Sequence, residues 1–466
     1  MPSLSAVKRF SQHLLTRWIV GSAVVLFIAS SVRHALMYST GFDLGIFDQA
    51  VYLISQGLPP ISSLMGFHIL GDHAAFIFYP LAVLYAIHPD VHWLFFVQAV
   101  GLALGALPVW ALARQAGTSE RWAIALAIVY LLYPLIFNVN LFDFHPDVLA
   151  PVGLLTAVWA ARSHRVAWFC GAIAFVLSLK AVLSLTVAAL GLWLLIFEKR
   201  RIMGAIALLA GISWFLFATQ WIIPVFSGAP PAAVSRYADF GSSPLEIAKT
   251  LILNPGLAAS QILNLTNFGY LTILFLPLIW GLSGRHSSAL IGALPTVFLN
   301  LLSEGSGQKD LLHQYSLPAL PFLMLVVIAT VAADQSWLRQ PRWAILWSLV
   351  FFFAFAKVGY FGSRYLGAMD TWQANREAIA HIQTQGGVLT DNRLASQVSQ
   401  RPVVKLLGRR FRLLLQDIDY VWLDMRHPDP QQQDVATDLL QHLQQHPQFQ
   451  LRYQRDDVYL FRRGLS

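Results

Sequence analysis

Long apolar runs alternate with short polar connections as far as Phe361, and from Arg364 onward the chain changes to short segments of mixed polarity. A helix needs about twenty predominantly apolar residues to cross a bilayer. The runs 18–37, 93–113, 122–137, 148–161, 166–197, 202–226, 268–282, 289–302, 317–333 and 343–361 predict roughly eleven spans, because 166–197 is long enough for two joined by a tight hairpin at Lys180. Run 74–87 is shorter and contains Pro80, which suits an interfacial or re-entrant helix. Just before it, Ile46, Phe47, Ala50, Val51, Leu53 and Ile54 follow helical spacing, as in an amphipathic helix lying on a membrane surface. Beyond Arg364, helix-like 373–385, the apolar run 387–390, strand-like 419–424, helix-like 436–446 and the pair 451–455 and 458–461 predict a small α/β domain. The expected fold class is an all-α polytopic membrane protein over 1–363, with a small C-terminal α/β extramembrane domain over 364–466.

Composition agrees with this pattern: 56% of the 466 residues are hydrophobic and 12% charged, against roughly 25% charged in soluble domains. The net charge of +8 is not a nucleic-acid signal, since the basic residues of the apolar part sit in short clusters between runs. No lysine or arginine occurs between Arg33 and Arg114, whereas Arg114 and Arg121, Arg162 and Arg165, Lys199 to Arg201, and Arg285 cluster at alternate connections. Positive residues stay in the cytoplasm. The expected topology therefore has a cytoplasmic N-terminus in the plasma (inner) membrane, with loops 38–92, 138–147, 227–267 and 303–316 and the C-terminal domain outside. The lone Cys170 excludes an intrachain disulfide framework and a four-cysteine zinc site.

The chemistry-bearing residues fall in the outer segments. Asp43, flanked by Gly41 and Gly45, can serve as a general base, hold a divalent cation (Mg or Mn), or cap the following helix. Asp48 is a second carboxylate of that loop; Asp143, His145 and Asp147 lie together just beyond a span, and His68, Asp72 and His73 form a similar cluster before run 74–87. Lys180 has no opposite charge nearby in sequence and is costly in lipid unless it lines an aqueous cavity. With Arg236, His313 and Tyr315 it makes a set of candidate phosphate ligands. His73 and Tyr237 are further candidates for a polar cavity.

The succession FDLGIFDQAVYLISQG, GDHAAFIFYPL, LFDFHPD, SLKAV, RYADFGSSPLE and HQYSLPALPF resembles a family of predicted prokaryotic multi-pass membrane proteins with a domain-of-unknown-function name, similar to the GT-C glycosyltransferases. The resemblance implies a hexosyl or pentosyl transferase that takes sugar from a polyprenyl-phosphate or polyprenyl-diphosphate carrier at the outer membrane face. The acceptor is a glycan, a lipid or a protein, and other membrane lipid is the surrounding partner. It also implies that Asp43 matches the acidic residue of the first outer loop, and Asp143 and His145 the polar residues of the second. Two positions depart from the pattern: Leu44 follows Asp43 where an acidic residue is frequent, and Ala181 follows Lys180 where related sequences often carry an acid. A transporter or lipid flippase, and a GT-C-like scaffold without catalysis, are the alternative readings. Against the transporter stand the lack of repeated halves and the scarcity of ionisable residues deep in the spans.

Overall fold

A computed structural model describes residues 4–429 and 432–464. They divide into two compact units, the first holding Met1–Ile28, Leu70–Ile77 and Phe96–Lys357, the second Ala29–Ile69, Phe78–Phe95 and Val358–Ser466.

The first unit is helical. Helix Ala150–Arg162 is followed by Val166–Leu179, Leu183–Ile196 and Arg201–Phe217, the last continuing through a π turn to Ser227. Lys180 leaves helical geometry (φ −163°, ψ 136°). Beyond helix Leu183–Ile196, Glu198 pairs with Arg162 at 2.8 Å, and Arg200 Nη2 donates to the Arg162 carbonyl at 3.4 Å. The start of Val166–Leu179 and the end of Leu183–Ile196 are thus level, and the chain reverses at Lys180 as the sequence predicts. Leu183–Ile196 and Arg201–Phe217 pack backbone to backbone through Gly191, Gly204 and Gly211; a Cβ on Gly211 would lie 2.6 Å from the Ala188 amide nitrogen.

Several contacts collect the basic connections at one end of this unit. Gln115 Nε2 donates to Ser163 Oγ at 3.1 Å, Trp193 Nε1 to Ser288 Oγ at 3.3 Å, and the Trp337 amide to the Trp280 carbonyl at 3.1 Å, while Trp122 stacks on Trp280. Arg114, Arg121 and Arg162 adjoin these residues in sequence, and Arg285 and Arg339 lie within three positions of them. The charge clusters therefore share one end, which is the segregation the positive-inside pattern anticipates.

The eleven expected spans are not reached by length and composition. Among the described residues, five helices are long and apolar enough to cross a membrane, or up to seven if each bent pair counts as one. Proline explains part of the difference. Pro134 opens Pro134–Asn140 at a 41° bend from Glu120–Leu131. Pro277 lies in the 3-10 turn Leu276–Gly281, and Gly284–Ala293 is itself a 3-10 segment ahead of Leu294–Leu302. The arms of the Lys180 hairpin have 14 residues each, which at helical rise is about 21 Å against roughly 30 Å of hydrocarbon.

The second unit carries a five-stranded sheet in the order Val404–Leu406, Val388–Thr390, Tyr420–Asp424, Val458–Arg463, Phe449–Arg455. The first three strands run parallel and the last two pair antiparallel. Alternation along the strands feeds two cores. Val388, Trp422 and Leu460 pack with Ala374 and Ala378 of helix Met369–Ala380, and Leu389, Val421 and Phe461 with Leu439 and Leu443 of helix Gln433–Gln445.

This unit is not built from C-terminal residues alone. Ser63, from the first loop, caps the edge strand: the Val404 amide donates to its Oγ at 2.8 Å, its Oγ donates to the Val404 carbonyl at 2.9 Å, and Lys405 Nζ donates to its carbonyl at 2.9 Å. Helix Ile46–Ser55 also departs from the surface-lying, wet-faced helix expected. Its polar residues Asp48 and Gln49 are buried with the apolar ones. Asp48 accepts hydrogen bonds from Tyr85 (2.6 Å), Ser399 (2.5 Å) and Gln400 (3.1 Å), and Gln49 Nε2 donates to the Arg401 carbonyl at 2.9 Å. The C-terminal segment covers the face that would otherwise meet water. Helix Phe78–Ile87, which supplies Tyr85, has 10 residues, about 15 Å of rise and too short to cross.

Asp48→Ala removes the acceptor of three hydrogen bonds and leaves the buried Tyr85 hydroxyl unpaired, so it should destabilise the protein by about 1–3 kcal/mol. The thermal melting of the detergent-purified chain would register this, and a melt unchanged from wild type would show that the Asp48 contacts do not hold the loop to the C-terminal segment.

Candidate active site

Opposite the basic end of the first unit, the Lys180 turn meets two other segments. Pro146 opens the 3-10 turn Pro146–Leu149 ahead of helix Ala150–Arg162 and sets Asp147 at that helix's entry. The Ala181 amide donates to the His73 carbonyl at 2.9 Å, and the Ile77 amide to the Ser178 carbonyl at 3.1 Å, so 73–77 lies across the turn. Gly71 fixes that segment at its other side. A Cβ there would lie 2.7 Å from the Ser227 amide nitrogen.

Lys180 Nζ lies 3.2 Å from Asp147 Oδ2, with the side chains 10% and 5% exposed. Asp147 Oδ1 is buried with no partner among the described residues. Burial pushes the Asp147 carboxyl up, but Lys180, with His145 and His73, outweighs it and holds the group below the usual range. The Lys180 ammonium also lies 5.7 Å from the centre of the Tyr315 ring. Arg236 takes a second position on that ring, its Cζ 4.9 Å from the centre, and donates from Nη2 to the Tyr315 hydroxyl at 3.1 Å. Among the described residues, Arg236 has no carboxylate partner. Two cations thus share one aromatic ring.

Asp72 and His73 border this group, 3.3 Å apart. Burial pushes the Asp72 carboxyl up to about 6, against the pull of Lys180, His145 and Arg236. Burial, then the Lys180 charge, keeps His73 well below its ordinary value. His313 Nδ1 lies 2.8 Å from Asp310 Oδ2, and its ring meets the Phe142 ring edge-on at 4.2 Å. Phe142 in turn stacks on His145. Asp143 is buried at φ 138°, a conformation a non-glycine residue rarely adopts, and its carbonyl faces His145 Nδ1 at 3.4 Å. Tyr237 is buried too, its hydroxyl accepting from Gln308 Nε2 at 3.3 Å.

Of the residues expected from the sequence, the structure brings together Lys180, Arg236, Tyr315, His73, His145 and His313. Sequence reasoning missed Asp147 as the partner of Lys180, and it missed Asp310; it grouped Asp72 with His68 and His73 but not with Lys180. The first was within reach, because two antiparallel helices of similar length return their far ends to one level, and Asp147 and Lys180 occupy those ends.

In the second unit, Asp43 sits in the π turn Gly41–Gly45. Thr40 Oγ1 donates to its Oδ2 at 2.9 Å, while the Asp43 amide donates back to Thr40 Oγ1 at 3.4 Å. Thr40, not Asp43, is the capping residue. Asp48, the other carboxylate of this loop, is an internal anchor as described above. Among the described residues no three His, Cys, Asp or Glu side chains gather where they could hold a metal ion, so the geometry lends no support to a divalent cation at Asp43.

The fold has solved counterparts. It matches the crystal structure of ArnT from Cupriavidus metallidurans bound to undecaprenyl phosphate with a TM-score of 0.58 at 12% identity, over 95% of this chain and 97% of that one. It matches the apo state of the same protein with a TM-score of 0.57 at 11% identity, over 97% and 98%. At such identities the likeness is one of fold alone. No curated protein matches the sequence. A family model described as predicted membrane protein DUF2079 matches residues 33–460. The chain belongs to the DUF2079 family of predicted membrane proteins.

Proposed function

We propose that the protein is an integral-membrane glycosyltransferase of the GT-C type, taking sugar from a polyprenyl-phosphate carrier at the outer face of the plasma membrane. The observation that carries the reading is the pair of cations, Lys180 and Arg236, around the Tyr315 ring at one end of the helical unit. A phosphate is the ligand such a pair suits: Arg236 offers a planar fork of donors, Lys180 a compact charge, and the low dielectric strengthens both. The ArnT fold, seen with undecaprenyl phosphate, supports a lipid-linked phosphate over a free one. His313 is a further donor for the same group. For the proton released by the acceptor, the proposal assigns Asp43, a half-buried carboxylate oriented by the Thr40 hydroxyl.

Turnover of polyprenyl-phosphate sugars by the purified chain in lipid nanodiscs tests this directly. Asp43→Asn should abolish sugar release while leaving donor binding intact; release at the wild-type rate would remove Asp43 as the base.

The donor site is tested by Lys180→Met combined with Asp147→Asn, which avoids stranding a buried carboxylate. This pair of changes should weaken donor binding by about tenfold or more, the worth of one lost charge-assisted contact. Undiminished affinity would exclude Lys180 from the site.

A pH dependence follows from Asp72. Below about 6 its carboxyl is protonated and no longer competes with the ligand for the neighbouring cations; above it, the carboxylate does. A phosphodiester donor keeps its single charge through this range. Donor affinity should therefore fall as the pH rises through about 6, and Asp72→Asn should flatten the profile. Identical profiles for wild type and Asp72→Asn would show that Asp72 does not modulate the site.

A further inference from the structure

A cavity of about 350 Å³ lies within the second unit, walled by Phe42 and loop 63–66 on one side and by 405–407 of the sheet edge with Gln432 on the other. It begins one residue from Asp43. The first loop is held rigidly here: the Phe42 amide donates to Asn392 Oδ1 at 3.0 Å, and a Cβ on Gly41 would lie 2.9 Å from Ala395 Cβ. The Phe42 side chain is nevertheless 53% exposed. A fixed backbone thus presents a flat apolar ring at the cavity wall.

Two polar groups complete the wall. Lys405 Nζ directs one donor to the Ser63 carbonyl, at 2.9 Å, and has no carboxylate partner among the described residues. Gln432 Oε1 is buried and has no hydrogen-bond partner among them. A buried acceptor without a donor is costly, and a half-buried ammonium with no carboxylate beside it is placed to receive an anion. The missing ligand chemistry can be read from these demands: a face of C–H groups for Phe42, a hydroxyl for Gln432 and a negative charge for Lys405. A hydrocarbon chain lacks the hydroxyl and the charge. A neutral sugar lacks the charge.

We propose that this cavity binds the acceptor, and that the acceptor is an anionic saccharide whose ring lies on Phe42, whose hydroxyl donates to Gln432 Oε1 and whose carboxylate or phosphate meets Lys405. The assignment of this ligand as the acceptor rests on the transferase reading; the binding itself does not.

The test is equilibrium binding to the full chain in nanodiscs without donor. The probes are a glucuronate-containing disaccharide, the same disaccharide bearing a phosphate in place of the carboxylate, and its neutral glucose counterpart. At least one anionic probe should bind about tenfold or more tightly than the neutral one. Lys405→Met should abolish that preference and Lys405→Arg restore it, and Phe42→Ala should weaken both anionic probes. Polyprenyl-phosphate binding should be unchanged in every variant, which also reports that they are folded. Equal affinity for charged and neutral probes, no binding of either anionic probe, or a charge preference that survives Lys405→Met would overturn the proposal. If the probes bind as expected while no donor is turned over, the saccharide site stands and the transferase reading falls. If donor is turned over while no saccharide binds, the transferase reading stands and the saccharide site falls.

Discussion

The ion pair between Lys180 and Asp147 constrains everything at the polar end of the helical unit. Both charges are nearly sealed from solvent, and taking either away would strand the other at a cost of about 3–5 kcal/mol. The pair therefore fixes the register of two helices, Ala150–Arg162, which is entered from Asp147, and Val166–Leu179, which ends at Lys180. The turn so held offers its backbone to 73–77, and that segment delivers Asp72 and His73. Tyr315 and Arg236 reach the same charges from two further elements. An apolar unit with few ionisable groups has gathered several of them at one place, and the pair is what makes that tolerable.

The second unit solves a different problem with a similar device. Asp48 of its first loop and Ser399, which it meets, are 351 positions apart, so no local propensity can hold them together. Asp48 and Gln49 do so by collecting donors and acceptors from 399–401, and Ser63 by standing in for a strand at the sheet edge. Burial raises the Asp48 carboxyl, and the bonds from Ser399, Tyr85 and Gln400 offset part of that cost. A carboxylate whose oxygens are so engaged is a structural group.

What could be read from the sequence followed from periodicity and charge. The apolar runs, the reversal at Lys180, the gathering of basic connections, the short helix at Pro80 and the α/β character after Arg364 all depend on local pattern, and all have counterparts in the structure. The span count did not, because apolar composition does not reveal where proline breaks a run into 3-10 and bent pieces. The face of helix Ile46–Ser55 departs from expectation for another reason. Asp48 and Gln49 look like a solvated stripe until Ser399 and Gln400 are seen beside them, and periodicity carries no information about partners that distant. For the site, Lys180, Arg236 and Tyr315 were legible as residue types, whereas the pairing of Lys180 with Asp147 needed the helix register.

The carboxylates of this chain sort themselves by their surroundings, and the sorting bears on mechanism. Asp147 is committed to Lys180 and kept ionised by it; Asp310 is engaged by His313 and by two backbone amides. Asp48 is enclosed by three donors. Asp72 is pushed toward neutrality by burial beside the cations, so its charge sets how strongly they are opposed. Asp43 is placed differently from all four: it is half-buried, lies on a short turn between glycines and accepts a hydrogen bond from the Thr40 hydroxyl. A base must be held in place and able to meet its substrate, and the hydroxyl contact supplies orientation while partial exposure leaves the carboxylate within reach. That combination, more than position in the loop, is the physical argument behind the proposal that Asp43 takes the acceptor's proton.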